Sequence, residues 1–146
     1  MRTILLDRQP GRRQFALVYD KGDEICSRIL DFARELNVSG ASFTGIGALS
    51  EVTLGYFDPE QKKYLEISIR EQVEVLSLAG NIALKDGEPK LHAHIVVGKR
   101  DGSAHGGHLL RGKVWPTLEL VLQETPGYLR RSLDDETGLA LLDAAA

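Results

Sequence analysis

The chain has 146 residues, 42% hydrophobic and 27% charged, enough to bury one core and too apolar to be disordered. No run approaches the roughly 18 apolar residues of a membrane span, and Asp7 and Arg8 cut short the opening stretch MRTILLDRQPGRRQ before a signal peptide could form. A net charge of −3, with lysines and arginines scattered in small groups such as Lys99–Arg100 and Arg130–Arg131, argues against a surface built for non-specific DNA binding.

The first predicted elements are two strands, TILLD and QFALVY, marked by their alternation. DKGDEICSRILDFARELN then changes period. Ile25, Ile29, Phe32, Ala33 and Leu36 fall at helical spacing, with Asp20 or Asp23 as candidate cap and Asn37 as candidate stop. Cys26 lies on this helix. A single cysteine excludes an internal disulfide and fits a reducing cytoplasm, which is the expected location.

Beyond the helix the chain alternates again. ASFTGIG, SEVTLGYF, KYLEISIREQ, VEVLSLAGNI, KLHAHIVVG, AHGGHLL and TLELVLQE all read as strands. Turn chemistry sits at Asp58–Pro59, Asp86–Gly87, Asp101–Gly102 and Trp115–Pro116. The alanine-rich end, LALLDAAA, is expected to be a frayed or weakly helical tail. The pattern predicts an α+β fold: a single domain over residues 1–146, its core at about 15–124 and the tail 130–146 peripheral. Its sheet is mainly antiparallel, with roughly seven or more strands and one principal amphipathic helix.

All four histidines lie in LHAHIVVGKRDGSAHGGHL, residues 91–109. On a strand, His92 and His94 share one face while Leu91, Ala93, Ile95 and Val97 form an apolar opposite face. A three-residue loop, Arg100-Asp101-Gly102, pairs Lys99 with Ser103, hence Val97 with His105 and His94 with His108. Cross-strand partners share a face, so in this register His108 joins His92 and His94 and His105 turns away; a loop one residue longer or shorter, or a bulge at Gly106–Gly107, would reverse the two. Three imidazoles with a fourth position free suit a divalent metal, zinc first, although nickel, copper and iron accept similar ligands.

Other residues carry less. GIGALSEV, residues 45–52, lacks the third glycine and the helix of a dinucleotide loop and reads as close backbone packing or a bend. Gly106 and Gly107 would let a backbone or ligand approach the histidines, and Glu119 is a candidate supporting partner or base. With His105 these complete the candidate surroundings of the metal. Cys26 reads as packed, and Ser42, Ser50 and Ser77 lack a nucleophile-elbow context.

The segments TGIGALSEVTLGYFD, VEVLSLAGNIALKDGEPKLHAHIVVGKRDGSAHGGHL and PTLELVL together resemble the plants and prokaryotes conserved (PPC) domain family, from about Phe15 to Glu124. The resemblance implies a mainly antiparallel sheet beside one or two helices, assembled as a homotrimer. It also implies a metal held by histidines of the HxH and GGH segments, which here are His92, His94 and His108. In plants the domain follows AT-hook motifs and contacts transcription factors. This chain has no Arg-Gly-Arg-Pro hook, and EQVEVL, residues 71–76, replaces the plant segment rich in Arg, Phe and Glu. Two functions are therefore expected as alternatives: a trimeric regulatory or DNA-binding module with a metal site, or a metal-dependent enzyme acting on a small molecule at a subunit cleft.

Overall fold

The computed structural model describes residues 1–125 and 129–143. The order is β1 (Arg2–Gln9), β2 (Arg12–Tyr19), α1 (Ile25–Glu35), β3 (Gly40–Asp58), β4 (Lys63–Ile69), β5 (Val73–Lys85), β6 (Glu88–Gly98), β7 (Ala104–Glu124), β8 (Arg131–Leu133) and β9 (Ala140–Leu142). The α+β assignment holds, and among the described residues no helix is long and apolar enough to cross a membrane.

The structure corrects several expectations. ASFTGIG and SEVTLGYF are one strand, β3, and AHGGHLL and TLELVLQE are one strand, β7. The Trp115–Pro116 step, expected as a turn, lies inside β7 with a cis peptide bond. Neither neighbouring strand pairs with residues 115–117, so the proline deprives no ladder of a donor. In the tail, the expected fraying or helix is replaced by β9, which pairs with β8; residues 144–146 lie outside the described set.

The large sheet runs β1-β2-β7-β6-β5-β3-β4 with antiparallel pairs, and β7 also pairs with β3. Strands β3, β5, β6 and β7 thereby close into a ring. Its inward face carries the core, in which Leu17, Leu49, Ile82, Ile95, Leu118 and Leu122 are fully buried. Helix α1 packs against β6 and β7, burying Ile25, Ile29, Phe32 and Ala33, and Phe32 meets Phe15 edge-on at 5.1 Å.

Glu24, and not Asp20 or Asp23, caps this helix by accepting from Cys26 N and Ser27 N. Asp23 is held elsewhere, by the Met1 ammonium and Arg28. Asn37 is the stop. Its φ of 52° and the bonds Asn37 N→Arg34 O and Val38 N→Ala33 O form a Schellman closure.

On the outward face one row of cross-strand partners runs Ile4, Ala16, Val121, Thr44, Ala79, His94, His108. The histidine face is therefore the outer surface of the sheet, at the far end of a partly apolar row.

Candidate metal centre

The hairpin that carries the histidines closes as its loop chemistry requires. Lys99 N donates to Ser103 O at 2.8 Å, Gly102 N donates to Lys99 O at 2.9 Å, and Gly102 takes φ 82°. Asp101 secures the return by accepting from Ser103 N and Oγ. The register that follows pairs His94 with His108 and Val97 with His105, without a bulge at Gly106–Gly107.

His92, His94 and His108 consequently converge, each offering a ring nitrogen within 4.8 Å of the other two. The Nε2 atoms of His92 and His94 are 3.3 Å apart. Two nitrogens bound at 2.0–2.1 Å to one tetrahedral ion sit about 3.4 Å apart, so this pair has the spacing of a shared ligand set. His108 Nδ1 is buried without a hydrogen-bond partner. An unmet buried polar atom is unfavourable, and a cation held at that nitrogen would meet it. The residues present fit a divalent metal.

Electrostatics favour the same use. Burial, then repulsion from His92 and His94, brings the His108 pKa down to about 4. Burial, then Arg131 and His94, also lowers that of His92. Neutral imidazoles keep a lone pair free for a metal at neutral pH.

Local packing fixes the rings. Tyr64 on β4 stacks on His108 with ring centroids 4.4 Å apart. It reaches there because Gly55, the register partner of His108, has no Cβ; one would stand 2.8 Å from Tyr64 Cδ1. Gly107 likewise allows β3 to approach, since a Cβ there would lie 2.9 Å from Gly55 O. Asn81, the partner of His92, accepts a hydrogen bond from Arg131 Nη2 through Oδ1.

His105 is exposed and pairs with Val97, outside the cluster. Gly106 pairs with Val96, and Gly107 packs against β3 beside His108. Glu119 is exposed between Val18 and Ile46 on the far half of β7, where the sheet brings it to none of the three histidines. Cys26 is packed, its Sγ 3.7 Å from Leu110 O, and burial pushes its thiol up to about 12.

Sequence reasoning missed Tyr64, Asn81 and Arg131. Asparagine within the apolar strand VEVLSLAGNI was an available signal, because strands disfavour it. The other two answer to strand neighbours that lie far away in sequence.

Comparison with known proteins agrees with this architecture. A PPC protein from Pyrococcus horikoshii superposes with a TM-score of 0.86 at 36% identity, covering 92% of this chain and 93% of that one. A metal-containing protein from Archaeoglobus fulgidus gives 0.82 at 35%, over 88% and 91%. A protein from Bacteroides thetaiotaomicron, provisionally named DNA-binding, gives 0.84 at 31%, over 94% and 94%. Among curated proteins, the Bifunctional protein GlmU of a Synechococcus species is 32% identical over 120 residues, 80% of this chain but 18% of that protein's length. With the model of the Plants and Prokaryotes Conserved domain matching residues 7–126, nearly the whole ring of strands and its histidine hairpin, the chain belongs to that family.

Proposed function

We propose that this chain is a metal-dependent regulatory module that works as a homotrimer in the cytoplasm, with His92, His94 and His108 holding one divalent ion, zinc first. The observation that carries the metal is the convergence of three imidazoles within 4.8 Å, one of them with an orphaned buried nitrogen. The name of the Archaeoglobus relative as a metal-containing protein points the same way. Protein purified without chelator should hold about one equivalent of metal per chain by elemental analysis, and His94→Ala should lose most of it. A metal-free preparation, or an unchanged content in the variant, would remove this reading.

Assembly is supported by exposed apolar side chains that a soluble monomer seldom leaves together. Ile46 is 62% and Leu76 56% exposed, and with Val121 they line a shallow groove on the outward face. DNA association draws support from the provisional names of relatives from Bacteroides and Ralstonia. The net charge of −3 gives it none, so a trimer that touches DNA must do so through a local patch or a partner.

A second reading, a metal-dependent enzyme acting on a small molecule, is favoured by one observation. A cavity of about 250 Å³ opens beside His92 and His108. A divalent ion there would supply a Lewis acid for a bound oxygen atom.

A further inference from the structure

That cavity has a chemistry of its own. Besides the two histidines, the described residues of its walls include three cationic side chains, Lys85, Lys90 and Arg131, and no carboxylate. Arg131 is the unusual one, at 8% exposure. Its guanidinium donates to Ala140 O through Nη1 at 2.9 Å and to Asn81 Oδ1 through Nη2, both uncharged acceptors. Nε has no partner, and no ion pair to Arg131 occurs among the described residues. A guanidinium carries five N–H groups and stays charged, so a buried one with two neutral acceptors is short of both hydrogen bonds and counter-charge. Burial lowers its pKa, as expected for an uncompensated cation.

Placement of this arginine is deliberate in the fold. Leu84 N donates to Leu129 O at 2.8 Å and Leu84 bridges to Arg130 in parallel, which ties the chain before β8 to the end of β5. The β8–β9 pair then holds Arg131 opposite Leu142, where it lines the same cavity as His92 and His108. Filling the histidine site with a divalent cation adds positive charge to a cavity that already has an excess of it. Leu91, Leu139, Ala140 and Leu141 form an apolar part of the wall, beside Tyr64.

We propose that this cavity binds a small organic carboxylate, its charged end between the Arg131 guanidinium and the metal position and its short apolar stem against Leu91 and Leu141. The planar guanidinium fork matches a carboxylate. Leucine side chains suit a hydrocarbon stem better than a fully hydrated inorganic anion. The volume is that of about eight waters, room for a ligand of a handful of heavy atoms. This assignment rests on the metal reading for one end of the ligand and on Arg131 for the other.

The test uses the full chain loaded with cobalt(II), whose visible absorption reports its ligands, and titrates butyrate, inorganic phosphate and n-butanol. Butyrate should perturb the cobalt bands saturably, and butanol should not. Arg131→Gln should weaken butyrate by about tenfold or more while leaving cobalt stoichiometry intact, and Arg131→Lys should recover part of the loss. Should the glutamine variant fold poorly, Leu141→Trp, at the exposed mouth of the cavity, should block butyrate and spare cobalt. Equal butyrate affinity in wild type and these variants overturns the proposal, as does tighter binding of phosphate than of butyrate. A chain that takes up no cobalt overturns the metal reading alone. Isothermal titration of the metal-free protein with butyrate then still reads the Arg131 end, and no difference between wild type and Arg131→Gln there overturns the carboxylate site.

Discussion

At His108, burial and two neighbouring imidazoles act in one direction, and the ring stays neutral down to about pH 4 against an ordinary value of 6.5. An unfolded chain takes up that proton as pH falls through 6.5, whereas the folded chain does not. The unfolded state therefore binds more protons between these values, and stability falls as the solution is acidified across that window. In the presence of chelator, melting temperature should decline from pH 6.5 towards 4 more steeply for wild type than for His108→Gln, which has nothing to titrate there. Parallel profiles would show that His108 is not the group responsible. Its place opposite His94 could be counted from the sequence because strand parity and the Gly102 loop are both local, set within the residues of one hairpin. Tyr64 was out of reach of such counting, since its stacking depends on β4 lying beside β3 and on Gly55 leaving room.

Among the elements, β3 and β7 govern the shape, and each reads in sequence as two strands because its middle breaks the alternation. In β3 the break is GIG. The register against β5 shifts between Gly45 and Gly47, and a Cβ on Gly47 would stand 2.4 Å from Thr117 O and 2.7 Å from Leu118 Cα. The glycines thus serve a close crossing with β7, in keeping with the packing role inferred from their spacing. Gly47→Ala should cost about 1–3 kcal/mol by urea unfolding, because backbone on both strands must shift. A midpoint equal to that of wild type would contradict the crossing. For β7 the interruption is Pro116, tolerated where neither neighbour pairs. Turn residues announce a break in periodicity, and tertiary pairing decides whether the strand resumes in the same direction.

For the whole molecule, the outward row from Ile4 to His108 puts exposed apolar side chains such as Val121 and the histidines on one surface. If copies meet over Val121, Ile46 and Leu76, then Val121→Glu should lower the mass seen by sedimentation equilibrium from trimer towards monomer, since burying a carboxylate in an apolar contact is strongly unfavourable. A wild-type monomer would end the trimer reading. A trimer unmoved by Val121→Glu would shift the contact to another face. DNA binding has its own signature at this scale. Affinity for a labelled duplex should fall with salt in proportion to the phosphates neutralised, and a flat salt profile would remove DNA as a partner.

The sequence by itself determined the fold class, the principal helix with its Asn37 stop, and the three histidines that share a face. These follow from periodicity and turn chemistry, which act over a few residues. Only the tertiary structure decided the ring closed by β3 and β7, the stacking of Tyr64 and the seat of Arg131. Arg131 and Asn81 are 50 residues apart along the chain. Contact over such a separation is set by which strands pair and in what register, a property of the whole sheet rather than of any local pattern.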